Sequence, residues 1–249
     1  MSGHSKWATT KHQKAAKDKA RGKLFAKLIR QVEVAAREGG SDLSANATLR
    51  TMFQKARDAS VPLDTLERAV KRGTGELEGV RYEAVSYEGY APEGVAVLVE
   101  CLTDNRNRTG AEVRAIFSRN GGSMAEPGAV SWQFERKGVV LVPRSVAEDV
   151  VMTAGLEGGV EDVRDIDDFW MLLAAPGDLH ALRQAVEGAG IPIDSAELQY
   201  VPSTTIVVGD EAGARKVLRL IELLEDHDDV QNVWANFDIP DNVLEAAEV

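Results

Sequence analysis

The stretch GVVLVPRSVAEDVVMTAGLEGGVEDVRDIDDFWMLLAAPGDLHALRQAVEGAGIPIDSAELQYV, residues 138–201, decides the fold. Short apolar runs over 138–142, 160–166, 169–174 and 195–201 read as strands. Between them, 146–156 and 178–189 carry apolar residues at helical spacing. The order is β-α-β-β-α-β, the split βαβ arrangement of ferredoxin-like domains.

On its N-terminal side, 82–90 and 94–102 read as two strands joined by a turn at 92–94. A helix over 109–120 follows, with Thr109 and Glu112 in capping-box spacing, and then a strand over 129–135. On its C-terminal side come a strand at 204–208, a helix at 212–225 and a strand at 230–237. Three such elements are too few for a core of their own. They are expected to complete the sheet begun before the 138–201 stretch, which makes residues 137–202 an insertion in an α/β domain of 80–136 plus 203–240, with 241–249 as a tail.

Further out, residues 22–75 read as a three-helix domain. In the first helix Leu24, Phe25, Leu28, Ile29, Val32, Ala35 and Ala36 share one face, and Lys23, Lys27, Arg30 and Arg37 the other. Gly39 and Gly40 end it. A second helix spans about 45–59, and a third follows Pro62, with Asp64 as N-cap and Glu67 three residues on. Residues 73–79 read as a linker, and 1–21 as a basic arm ordered only in part without a partner. The expected fold class is α+β: an N-terminal three-helix domain followed by two α/β domains, the third ferredoxin-like and inserted in the second.

The net charge of -11 argues against a nucleic-acid partner until its distribution is read. Residues 1–75 hold 16 Lys and Arg against 7 Asp and Glu, whereas the remainder holds 13 against 33. Such asymmetry points to a polyanionic partner for the basic part. No apolar run approaches the roughly 20 residues that span a bilayer, and no apolar leader opens the chain, so neither a membrane nor secretion is expected. The single cysteine, Cys101, excludes a disulfide framework and suits a reducing cytoplasm.

Two constellations bear on binding. Lys6, Lys11, Lys14, Lys17, Lys19, Arg21, Lys23 and Lys27 form a cationic run, with Trp7 near its start able to stack on an unpaired base. Arg30, and Arg68, Lys71 and Arg72 of the third helix, extend the basic set. The alternative is a solvated tail and an ordinary polar helix face, which the contrast with the acidic body disfavours. The second constellation is 103–109, where Arg106 and Arg108 precede a helix start and could hold a phosphate. Alternatively they pair with Asp104 or with the acidic body.

Sharper motifs fail. Gly73, Gly75 and Gly79 miss the dinucleotide-binding spacing and follow a helix. Cys101 lies in a buried strand pattern. His4, His12, His180 and His227 lack metal-ligand spacing, and Asp226, Asp228 and Asp229 read as a solvated acidic turn. No catalytic residue, metal, cofactor or small-molecule substrate is expected.

Several segments together resemble the YebC/PmpR family: 2–8 with Lys11 and His12; 21–29; Glu67, Arg68 and Ala69 with 71–73; 87–90; 100–109; 120–122; and 229–233. Gly110 stands where Val or Ala is more usual in that pattern. The resemblance implies a helical domain and two α/β domains, one inserted in the other, without known catalytic activity. It further implies a DNA-binding transcriptional regulator acting on promoter DNA, or alternatively a ribosome-associated translational activator that binds ribosomal RNA.

Overall fold

The computed structural model describes residues 18–166 and 168–247 of the chain, with the side chains of 18–21 outside that description. The first three helices are α1 (Asp18–Gly39), α2 (Ala47–Asp58) and α3 (Leu63–Thr74). Leu28, Val32, Ala35 and Ala36 of α1 close a core with Leu49, Ala56, Val61, Leu66 and Ala69. Leu24, expected on the same face, is exposed. Asn46 joins two helices: its Oδ1 accepts the Leu49 N–H at 2.9 Å, and its Nδ2 donates to the carbonyls of Ala35 and Gly40 at 2.8 and 2.9 Å. Gly73 lets α3 press onto α1, because a Cβ there would lie 2.3 Å from the Glu33 carbonyl oxygen. The expected cap at Asp64 is displaced. Pro62 occupies the N-cap with its preset φ, and Asp64 falls in the first turn, where its charge still suits the helix dipole.

The second unit is an antiparallel sheet ordered β3-β1-β2-β9, with β1 Glu83–Tyr90, β2 Ala96–Thr103, β3 Ser123–Ala125 and β9 Val230–Ala235. Helices α4 (Arg106–Arg119) and α7 (Glu211–Asp226) cover one face, burying Val97, Val99, Val113, Phe117, Val217, Leu220 and Leu224. The other face meets the inserted unit through Leu98, Phe134, Trp234 and Tyr200, with Tyr200 and Trp234 rings 6.3 Å apart.

The strand expected over 129–135 does not form. The buried Glu88 carboxylate accepts the N–H groups of Gly128, Val130 and Ser131 at 2.7–2.9 Å, so those donors are withdrawn from any ladder. Burial alone would push that carboxyl up, but these three bonds hold it below its ordinary value. Residues Ser131–Gln133 make one helical turn, and β4 starts only at Phe134. The expected cap of the next helix also moves: Asn105 caps α4, accepting the Arg108 N–H at 3.1 Å, and Thr109 lies inside the first turn.

The inserted unit runs β4 (Phe134–Pro143), α5 (Glu148–Glu157), β5 (Val160–Ile166), β6 (Phe169–Ala174), α6 (Leu179–Gly188) and β7 (Ser195–Pro202). Its sheet order β5-β6-β4-β7, antiparallel throughout, is the ferredoxin-like arrangement. The chain returns through β8 (Ile206–Val207), which pairs in parallel with β10 (Phe237–Asp238). Residues 241–247, expected as a tail, form a helix, α8 (Asp241–Ala247), because Val243 and Leu244 are buried against the second core. Among the described residues no helix is long and apolar enough to cross a membrane.

Candidate nucleic-acid interface

Helix α7 ends at Asp226, and its last carbonyls carry the negative end of the helix dipole. The turn to β9 adds Asp228 and Asp229. Over this acidic end α1 lays Lys23, Lys27 and Arg30, spaced to share one helix face. Lys23 Nζ lies 2.6 Å from Asp226 Oδ1 and 3.1 Å from its carbonyl oxygen. Lys27 donates to the Glu225 carbonyl at 2.7 Å, and Arg30 to that of Asp228 at 2.7 Å. The hydrogen bond to Asp226 raises the Lys23 ammonium above its ordinary pKa. Arg30 also covers the Tyr82 ring, 5.2 Å from its centroid.

From the other side α4 supplies Arg108. Its Nη2 donates to Asp229 Oδ2 at 2.6 Å and to Asp104 Oδ1 at 2.9 Å, while Thr109 Oγ1 donates to the same Asp229 oxygen at 2.7 Å. Asp229 is buried, which by itself pushes its carboxyl up; the bonds from Arg108 and Thr109 outweigh that and leave it below the ordinary value. The turn is therefore an electrostatic latch that joins α1, α4 and the start of β9. Of the acidic turn read from sequence as solvated, Asp226 and Asp228 stay exposed, whereas Asp229 is buried as the acceptor of Arg108 and Thr109.

The basic residues of the expected interface divide accordingly. Lys6, Trp7, Lys11, Lys14 and Lys17 lie outside the described residues. Lys19 and Arg21 fall on the first turn of α1, so the helix begins within the stretch expected as arm. Lys23, Lys27 and Arg30, expected on an open face, are turned inward onto the latch. Arg72 is also internal, donating to the buried Glu33 at 2.9 Å, where Arg37 joins it at 3.3 Å. Arg37 further donates to the carbonyls of Val80 and Tyr82 at 3.3 and 3.1 Å, so the chain just past the expected linker is strapped to α1. Of the two open readings of Arg108, pairing with Asp104 and the acidic body is the one observed. Arg68, Lys71 and Arg106 are exposed and have no ion pair among the described residues. The three-helix unit also meets the inserted unit, Arg183 reaching Asp58 at 2.8 Å and Lys55 pairing with Glu197.

Glu112, His227 and Asp229 bring one ligand atom each within 4.8 Å of one another, a grouping invisible in linear spacing. A guanidinium already fills the cationic role there, since Arg108 touches Asp229 and approaches Glu112 at 3.9 Å. His227 Nδ1 accepts the Asp229 N–H at 3.1 Å, which in the neutral ring leaves the proton on Nε2, directed at Glu112 2.9 Å away. The arrangement is a hydrogen-bonded polar cluster. Cys101 is buried, and burial pushes its thiol up to about 12, so it is held as an unreactive core residue.

A three-helix unit carrying a cationic N-terminal stretch, placed before an antiparallel α/β sheet with a ferredoxin-like sheet inserted in it, defines the class of this α+β protein. Residues 5–76 match the family model for the TACO1/YebC protein N-terminal domain, and residues 82–237 match that for the TACO1/YebC second and third domain. The chain belongs to the TACO1/YebC family. It is 59% identical to a "Probable transcriptional regulatory protein" of Beutenbergia cavernae over 98% of both chains. It is 55% identical to one of Streptomyces coelicolor over the whole of both. Among solved structures it resembles the crystal structure of a conserved hypothetical protein from Aquifex aeolicus, with TM-score 0.82, 45% identity and coverage of 90% and 93%.

Proposed function

We propose that this chain is a nucleic-acid-binding regulator of gene expression, acting in the cytoplasm as a transcriptional regulator at promoter DNA and not as an enzyme. The observation that carries the reading is the charge split, 16 basic against 7 acidic residues over 1–75 and 13 against 33 in the remainder. An acidic body repels a polyanion from most of its surface and orients the basic end toward it. The names of the Beutenbergia and Streptomyces relatives agree with it. The contacting groups are those of the arm, Lys6 to Arg21 with Trp7, together with exposed Arg68, Lys71 and Arg106. Lys23, Lys27, Arg30, Arg72 and Arg108 position this surface through the contacts described above.

A second reading, ribosomal RNA on a ribosome, draws on one observation. Helix α3 offers Arg68 and Lys71 but no Asn or Gln for adenine, so direct reading of a major groove is poorly supplied. Affinity should be measured for a promoter fragment and for scrambled duplex at one fixed salt, with sedimentation against ribosomes in parallel. A preference above roughly 10³ for the promoter fragment supports the transcriptional reading. Indifference to sequence, with ribosome association lost on removal of residues 2–21, replaces it by the second.

A further inference from the structure

Two grooves flank α4 on the acidic body. One, of about 660 Å³, runs between the end of α4 and α7 and is lined by Arg119, Asn120, Arg215, Lys216 and Arg219. The other, of about 510 Å³, lies on the β1 side of α4 and is lined by Tyr87, Arg106, Arg114, Ser118 and Met124. No carboxylate lines either groove. Residues 76–249 contain only 13 Lys and Arg against 33 Asp and Glu, yet six of those 13 lie here.

Elsewhere on this body Arg108, Lys137, Arg144, Arg164 and Arg183 each have a carboxylate partner within 3.1 Å, whereas Arg81 and Arg136 are exposed and singly placed, without an ion pair among the described residues. In the grooves Arg215 pairs with Glu211 and Arg219 with Glu222, both outside the linings. Arg106, Arg114, Arg119 and Lys216 are exposed and have no ion pair among the described residues. Like charges gathered without counter-charges repel one another, a cost that an anionic ligand relieves.

The spacing identifies the anion. Arg106, Arg114 and Arg119 mark the start, middle and end of a 14-residue helix, which at 1.5 Å per residue is roughly 21 Å long. A free phosphate needs donors converging on one point, whereas here the donors are distributed along the length of the helix and over both its flanks. A polymer carrying a charge every 3.4 Å or so along each strand can meet donors distributed in this way. We propose that the α4 flank is a second nucleic-acid track, in which these six cations hold the phosphodiester backbone independently of its sequence. The track rests on the nucleic-acid reading above, shares Arg106 with it, and extends it along α4 to Arg114, Arg119 and the α7 side.

The test uses the full chain carrying Arg114→Gln, Arg119→Gln and Lys216→Gln together, none of which breaks an ion pair among the described residues. Binding is titrated against oligo-U and oligo-dT 20-mers and a scrambled 20-base-pair duplex over a salt series. The slope of log K against log salt should flatten by about two units on single strands and about three on duplex. An Arg68→Gln, Lys71→Gln chain reports the N-terminal surface separately. If wild type and the triple variant share one slope while the second variant differs, the track is wrong and the nucleic-acid reading stands. If wild type binds no probe in a salt-dependent way, both fall. Loss of wild-type binding to millimolar inorganic phosphate at matched ionic strength would also overturn the track, because it marks a point site. Should the triple variant fail to fold, Lys216→Gln alone is expected to flatten the single-strand slope by about 0.7, and no change there refutes the proposal.

Discussion

The basic face of α1 and the set Arg68, Lys71 and Arg106 on α3 and α4 are built from the same kinds of side chain and have opposite fates. Lys23 and Arg30 lie against a helix C-terminus and two aspartates, partly withdrawn from water. Arg68, Lys71 and Arg106 face solvent without an ion pair among the described residues. Composition alone does not distinguish the two sets. What distinguishes them is whether the fold returns an acidic segment to them, and the Lys23 partner is 203 residues away in sequence. A cationic face in an acidic protein is thus as readily a domain-docking face as a ligand site.

The largest expected effect sharpens the binding side of this contrast. Removing residues 2–17 takes away Lys6, Lys11, Lys14 and Lys17 and leaves α1 to start where it does. The salt slope on duplex DNA should flatten by about three and a half units if all four meet phosphates. An unchanged slope in the salt titration would place the arm away from the polyanion. The next effect falls on the latch. Asp229→Ala removes the acceptor of Arg108, Thr109 and Arg30 from a buried position, and urea unfolding should register a loss of about 2–3 kcal/mol. A loss under about 0.5 kcal/mol would mean the turn is as solvated as its sequence suggests.

Paired substitutions test the division directly. Lys23→Ala with Arg30→Ala should reduce stability by about 1 kcal/mol, because both groups are part-exposed, and barely alter the salt slope. Arg68→Ala with Lys71→Ala should do the reverse, flattening the duplex slope by about two units with stability nearly unchanged. If both pairs flatten the slope equally, the latch opens on binding and the two faces act as one surface.

The architecture was legible in sequence because its signals are local and repeated. The β-α-β-β-α-β order of 138–201 and the helical period of α1 each rest on many residues. Single-residue choices were not. Asn105 and Thr109 are both competent N-caps, and only the burial of Thr109 between Thr103 and Asp229 assigns the cap to Asn105. The strand expected over 129–135 had the right apolar character, but Glu88, forty residues upstream, takes its donors. Helix α8 is too short for its period to stand out from a tail. The candidate site was half legible: the charge split showed which part of the chain is cationic, whereas the latch and the clustering of six cations around α4 depend on contacts between distant segments.

The smallest expected effect is a pH dependence that belongs to the latch. The Asp229 carboxyl is held below its ordinary value of 3.8. A group with a depressed native pKa contributes stability that is present above its unfolded value and disappears as the pH falls through its native value. The stability difference between wild type and Asp229→Asn should then be constant near neutrality. It should begin to shrink as the pH drops below about 4 and close further at lower pH. Lys23 has the opposite sign. Its pKa is raised above 10.5, so its contribution is complete below that value and fades only as the pH rises through the higher native one. Urea midpoints across pH would therefore give a latch that weakens at both extremes, through Asp229 in acid and Lys23 in base. An Asp229→Asn difference that persists undiminished to pH 2 would show that the carboxylate charge contributes little. The turn would then hold α4 through neutral hydrogen bonds to Thr109, and α1 through the carbonyls at the end of α7.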